Sequence, residues 1–314
     1  MRKEEFYLPS TDGKNTLHCI RWLPEGEPIA ILQIVHGMVE HIARYENFAQ
    51  ALCMRGMAVV GDDHLGHGLT AARDEDLGYI CPERESDTMV ADIYEVTKYV
   101  KTSFPGIPNY ILGHSMGSFL TRKYLTLHSG DVDKAIIMGT GFMLAAMVRF
   151  ALGLTNTVGK LKGERHRSRL LTALALGSYN KRFTFPDSPS AWLTKDPEIV
   201  RIHDADKYAT FTFTVNAYRA LFSTLVYLAE WTNFDKVRRD LPVLIVSGAD
   251  DPVGDFGKGP TAVFQAYKER GMQDVTLKLY EGDRHEITNE LDRETVYADL
   301  YAWLTKDTEV KPGA

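Results

Sequence analysis

Ser115 stands in Gly113-His114-Ser115-Met116-Gly117, between an apolar run at 109–112 and a helix-like run from Ser118, so a strand ends where a helix begins. This is the G-x-S-x-G elbow, which lifts a serine hydroxyl to the tip of a tight strand-to-helix turn. The turn forces the serine into a sparsely populated backbone conformation. It also brings strand and helix so close that a Cβ two positions away on either side would clash, and glycine at 113 and 117 removes that clash. A serine so placed can attack a carbonyl and carry a covalent acyl group. It then needs a base, an acid that orients the base, and donors for the oxyanion.

On such a fold the acid and the histidine follow the serine along the chain. After the apolar run 241–246 come Ser247-Gly248-Ala249-Asp250-Asp251-Pro252, a buried-strand signal followed at once by turn chemistry with two carboxylates. Asp250, Asp251 and Asp255 compete for the acid. Asp251 leads because Pro252 restricts its backbone to an extended conformation and so directs its carboxylate, whereas Asp255 reads as a loop or helix-cap residue. After the strand-like run 275–280, Glu281-Gly282-Asp283-Arg284-His285 again delivers one side chain at a strand end, and His285 is the expected base.

The chain holds ten histidines, and the others need accounting for. His128, His166 and His203 fall in helical or connecting stretches and read as packed or solvated side chains. His114, beside Ser115, reads as a support beneath the elbow. His64 and His67 in Asp62-Asp63-His64-Leu65-Gly66-His67-Gly68 invite a metal reading, but the spacing matches neither a zinc helix nor a Cys/His module. A structural loop is the expectation there, with no metal and no organic cofactor. For the oxyanion, one donor is expected from the backbone N–H of Met116, at a helix N-terminus whose dipole favours negative charge. The second is expected from Met38, in the loop His36-Gly37-Met38 after the strand-like run 29–35.

Strand-like runs at 5–8, 16–22, 29–35, 58–61, 109–112, 134–138, 241–246 and 275–280, with helical stretches between, predict a mostly parallel eight-stranded α/β sheet with helices on both faces. The rhythm stops near Gly141. Residues 142–236 show no pair of strands and are expected to form an inserted helical cap, leaving 1–141 and 237–314 as the core. The segments 142–148 and 150–154 are apolar on nearly all sides, and the run from Phe211 to Trp231 reads as a second aromatic and aliphatic helix. A segment apolar all round must be covered on its outer side by an acyl chain, another subunit or a membrane surface. Phe142, Leu144 and Phe222 are the cap residues taken as substrate contacts. The tail from Lys306 reads as frayed.

With 42 acidic against 36 basic residues and no basic stripe, nucleic acid is not an expected partner. Three cysteines, Cys19, Cys53 and Cys81, fit a reducing compartment better than a disulfide framework. No apolar leader follows the charged start, and no run approaches about 20 apolar residues. The expectation is a cytoplasmic chain, with peripheral membrane contact through the cap left open.

The chain resembles the α/β-hydrolases of the monoacylglycerol lipase and bacterial lysophospholipase family over nearly its whole length. The matching segments are His36-Gly37-Met38-Val39-Glu40-His41 with Arg44-Tyr45, the 63–68 loop, the elbow, Asp251-Pro252-Val253-Gly254-Asp255, and Tyr280-Glu281-Gly282-Asp283-Arg284-His285. The resemblance implies Ser115, Asp251 and His285 as nucleophile, acid and base, with Met38 and Met116 as oxyanion donors. It implies hydrolysis of a lipid-like monoacyl ester. Some lipase relatives carry cysteine in the loop after the acid, where this chain has Val253-Gly254, so thiol sensitivity would not transfer. Two other enzyme readings stand beside it: a short-chain esterase, and a serine aminopeptidase, which needs a cap carboxylate such as Glu164, Glu198 or Glu230 for the substrate ammonium. A ligand-sensing hydrolase-like protein is the reading from another class.

Overall fold

The computed structural model describes residues 1–183 and 188–306. Eight strands form one sheet: β1 (Arg2–Pro9), β2 (Thr16–Leu23), β3 (Ala30–Val35), β4 (Met57–Asp62), β5 (Asn109–His114), β6 (Lys134–Met138), β7 (Val243–Gly248) and β8 (Val275–Tyr280). Their order across the sheet is β1-β2-β4-β3-β5-β6-β7-β8. The β1–β2 and β2–β4 pairs are antiparallel and all the others parallel. β3, β4, β5 and β7 are buried at every position, as strands covered on both faces must be. β1, on the edge, alternates between exposed and half-buried and opens with Arg2, Lys3, Glu4 and Glu5, charges that discourage another strand from pairing there. The one polar side chain inside β3, Gln33, is satisfied: its Nε2 donates to Ile93 O at 2.9 Å and its Oε1 accepts from Thr97 Oγ1 at 2.8 Å.

One face of the sheet packs against α1 (Glu46–Cys53) and α9 (Arg293–Thr305). The other packs against α2 (Glu85–Ser103), α3 (Met116–His128) and α8 (Lys258–Glu269). Between β6 and β7 lie α4 (Ala145–Lys162), α5 (Arg169–Leu176), α6 (Pro197–Ala205) and α7 (Val215–Ala229), with no strand among the described residues. The aromatic run expected as one helix from Phe211 to Trp231 is shorter. Thr214 caps it, its hydroxyl accepting from Ala217 N, so Phe211 and Phe213 precede the helix and pack edge-on against His67. α7 lies against α2 and α3 and joins the main core through Ala217, Tyr218, Ala220, Leu221 and Leu225. The terminal segment read as frayed lies outside the described residues beyond Lys306.

Candidate active site

The parallel pairing sets the site. Val35 stands beside Gly113 in the β3–β5 register, so the loop after β3 and the elbow after β5 leave the sheet side by side. Gly248 stands beside Tyr280 in β7–β8, which does the same for the loops carrying Asp251 and His285. All four loops therefore leave the carboxyl end of the sheet, where ligands bind in open α/β folds.

Ser115 has φ 54° and ψ −122°, the strained geometry expected of an elbow, and its N–H donates to Met138 O at 3.0 Å. A Cβ at Gly113 would strike Gly117 O, and one at Gly117 would strike Val35 O. Val39, in the neighbouring loop, also has positive φ, at 55°. A β-branched residue there costs on the order of 1–3 kcal/mol, so both loops lining the site hold strain.

His285 Nδ1 lies 2.9 Å from Asp251 Oδ2, and both residues are essentially inaccessible to solvent. An ionised carboxylate only accepts, so Nδ1 carries the proton and the lone pair sits on Nε2. That nitrogen is buried without a hydrogen-bond partner among the described residues. Asp251 is itself fixed: Oδ2 accepts from Ser247 Oγ at 3.0 Å and Oδ1 from Val253 N at 2.9 Å. The competing carboxylates are elsewhere. Asp250 is exposed, and Asp255 is exposed and paired with Lys258 at 3.0 Å.

A cavity of about 490 Å³ opens over Ser115 and His285, and Met38 and Met116 line it too. Met116 is the first residue of α3, so its N–H has no acceptor within that helix. Met143, Met147, Val148, Ala151, Leu174 and Phe222 supply much of the apolar wall. Of the three expected cap contacts only Phe222 is there. Phe142 instead stacks on Trp231 at 5.0 Å, and Leu144 is 60% exposed on the outer surface. Composition marked the cap as apolar, but which side of a helix faces inward depends on what it packs against.

Beneath the elbow lies a polar network in which sequence reasoning assigned a supporting role to His114 and none to Glu40, Arg44, Tyr45 and Glu286. Glu40 Oε1 accepts from Gly37 N and from Tyr45 Oη at 3.0 Å, and faces His114 Nδ1 at 3.1 Å. Arg44 clasps Glu286 through two bonds of 2.7 and 2.8 Å and reaches Glu40 at 3.2 Å. Burial pushes the Glu286 carboxyl up, but the Arg44 guanidinium outweighs it and brings it down to about 2. Burial likewise opposes the charge on Glu40, yet His114 and Arg44 hold that carboxyl well below the usual range. His114 Nε2 faces His285 O at 3.3 Å, and a carbonyl only accepts, so this nitrogen donates. His114 thus ties the elbow to the histidine loop. Besides the place of His114 next to Ser115, the sequence signal was the spacing of Glu40, Arg44 and Tyr45 just after Gly37.

His36 stacks on His64 at 4.0 Å, and His67 meets both rings edge-on. His36 Nε2 accepts from His64 N at 3.0 Å, which leaves Nδ1 to donate to Gly37 O at 2.8 Å. Burial, reinforced by His64 and His67, drives the His36 pKa well below its ordinary value. His64 differs: its Nδ1 faces Asp62 Oδ2 at 3.0 Å, and against the effect of burial that carboxylate raises its pKa. Together the rings brace the loop that carries Met38. Glu164, Glu198 and Glu230 do not line the cavity, and each pairs with an arginine, Arg219, Arg201 and Arg149.

An eight-stranded, mostly parallel sheet with an elbow serine, a buried Asp–His pair and a shared cavity defines an α/β-hydrolase, and the chain is a serine hydrolase of the esterase type. Residues 26–292 match the family described as "Serine aminopeptidase, S33", and the chain belongs to that family. Human monoglyceride lipase is 26% identical over 309 residues, covering 96% of this chain and 90% of that protein. Phospholipase YtpA of Bacillus subtilis is 26% identical over 278 residues, covering 86% of this chain and 93% of that one. A thermostable carboxyl esterase from Bacillus coagulans, solved in complex with glycerol, superposes with a TM-score of 0.90 at 28% identity over 98% of this chain and 99% of that chain.

Proposed function

We propose that this protein hydrolyses monoacyl esters of lipid alcohols, a monoacylglycerol or a lysophospholipid, through an acyl-serine intermediate. The observation that carries the reading is one cavity that joins Ser115 and His285 to two kinds of wall. Apolar side chains from α4, α5 and α7 suit an acyl chain, and Arg44, His203, Asp204 and Glu286 suit a hydroxylated head group. The names of the human and Bacillus subtilis relatives point the same way.

Ser115 Oγ attacks the ester carbonyl while His285 Nε2 takes its proton. The Met38 and Met116 N–H groups receive the oxyanion, and Asp251 holds the imidazole tautomer and offsets the imidazolium charge. Collapse of the tetrahedral species breaks the bond to the alcohol, which leaves with the proton from His285. Water, deprotonated by the same nitrogen, then releases the fatty acid and restores the serine.

Leu144, Met147, Phe150, Leu170 and Leu174 are all exposed on α4, α5 or the residue just before α4, and Met147 and Leu174 also line the cavity. They support a peripheral lipid contact at its mouth. Among the described residues no helix is long and apolar enough to cross a membrane.

The test is a chain-length series of p-nitrophenyl esters together with fluorophosphonate labelling. Labelling disappears in Ser115→Ala. kcat/KM rises up to about fourfold per added methylene until the cavity is full, from about 0.8 kcal/mol each. A profile that falls steadily beyond butyrate overturns the lipid reading and leaves a short-chain esterase. Efficient cleavage of amino-acid amides with a free α-amine would replace it with a peptidase.

A further inference from the structure

Two rings pack against the imidazole of His285. One is His114, at 4.7 Å between centroids and 39° between planes, and the other is Trp192, at 5.0 Å and 37°. Both separations are those of favourable aromatic pairs. Trp192 belongs to the stretch between α5 and α6, over ninety residues upstream of His285 in the chain, yet backbone and side-chain bonds hold the two in register. Arg284 Nη1 donates to Ala191 O, and Glu286 N donates to Leu193 O at 2.7 Å. The residues flanking Trp192 are therefore bonded to the residues flanking His285.

The stitching continues along the stretch. Thr194 Oγ1 donates to Asn289 O at 2.9 Å, Lys195 N to Glu290 Oε2 at 3.0 Å and Lys195 Nζ to Asp283 Oδ1 at 2.7 Å. Arg293 Nη1 closes the set on Asp196 Oδ2 at 2.9 Å. Tyr179 packs behind Trp192 at 5.0 Å. Burial, with the charge of Asp251 adding to it, raises the Tyr179 pKa, so the phenol stays neutral beside the Asp–His pair.

We propose that Trp192 is a positioning residue for His285, and that residues 191–196 work as one unit with the histidine loop. The inference rests on the reading of His285 as the base. The bond from Nδ1 to Asp251 fixes one nitrogen but leaves the ring free to tilt about it. A planar indole held opposite the imidazole removes that freedom, keeps Nε2 aimed at the serine and keeps water off the Nδ1–H. Misplacement of a catalytic group by about an ångström costs up to 10²-fold in rate, so the contact has room to matter.

The test compares Trp192→Leu, Trp192→Phe, Tyr179→Leu and His285→Ala in the full chain on p-nitrophenyl acetate, whose acyl group is too short to sense the apolar wall. Trp192→Leu is expected to lower kcat about tenfold or more with KM within about twofold. Trp192→Phe, which keeps a ring, recovers most of the loss, and Tyr179→Leu falls between wild type and Trp192→Leu. By proton NMR, the low-field signal of the His285 Nδ1–H is sharp in wild type and Trp192→Phe and broadened by exchange in Trp192→Leu. Wild-type kcat with a sharp signal in Trp192→Leu overturns the proposal. If that variant does not fold, wild-type kcat and an unchanged signal in Tyr179→Leu overturn it instead. Wild-type hydrolysis by His285→Ala would fail the base assignment itself, a result separate from any behaviour of Trp192.

Discussion

Residues 191–196 and the rim made by 144–153 and 170–176 both border the cavity, yet different forces hold them. The first is joined to the histidine loop by directional bonds from consecutive residues. The rim, among the described residues, reaches beyond its own helices through Arg149 to Glu230 and Thr172 to Tyr218 Oη at 3.0 Å. Its remaining contacts are apolar, and Val148, Ala151 and Leu171 are its buried members. Directional bonds lock a geometry, which proton transfer needs. Non-directional apolar contact tolerates repacking, which suits a wall that must admit chains of differing length.

The sharpest way to break this comparison is at the directional side. Asp251→Asn is expected to lower kcat about 10⁴-fold by favouring the wrong imidazole tautomer, while Asp250→Asn, at an exposed position, stays close to wild type. Steady-state kinetics on one soluble ester decides it, and equal losses in the two variants would remove Asp251 from the triad.

Next in size is Arg44→Met, which leaves Glu286 buried without its cation and Glu40 with only His114 to hold its charge. Removing one partner of a buried pair costs about 3–5 kcal/mol, so thermal melting at neutral pH should fall well below wild type. The sign with pH follows from the depressed carboxyl. In the wild type the Arg44–Glu286 contribution is complete above about pH 4.5, the ordinary carboxyl value, and is lost as pH falls toward 2. Melting curves across that window should therefore converge for wild type and Arg44→Met, and a constant gap would contradict the assignment.

The rim should answer differently. Met147→Ala with Leu174→Ala is expected to reduce kcat/KM on long-chain esters about tenfold, from methylene contacts of about 0.8 kcal/mol each, and to spare acetate and the melting temperature. A loss on acetate equal to that on long chains would erase the distinction between the two regions. The smallest effect is expected from thiol reagents. Cys19, Cys53 and Cys81 are free and buried, and burial pushes the Cys53 thiol up to about 11. N-ethylmaleimide on the native protein should leave hydrolysis unchanged, because little thiolate exists to react.

Much of this site is legible before any coordinates. The elbow declares itself because Gly113 and Gly117 are demanded by local sterics, and Asp251 and His285 declare themselves because each follows a strand signal with turn residues. The network of Glu40, Arg44, His114 and Glu286 is not legible as a network. Glu286 reaches Arg44 across more than two hundred residues, and nothing in the local pattern records that distance. The cap contacts fail for a related reason: Phe142 and Leu144 are as apolar as Phe222, and only packing tells them apart.

Local chain chemistry was enough to mark the strands, the elbow, and Ser115, Asp251 and His285 as candidates in that order along the chain. Those features depend on neighbours within a few residues, where steric exclusion and the period of hydrophobic burial act. The tertiary structure alone decided which carboxylates meet Arg44, which face of each helix between β6 and β7 looks into the cavity, and that Trp192 stands against His285. These are contacts between segments far apart in the chain, chosen by the register of the sheet and by the cost of leaving buried charges unpaired.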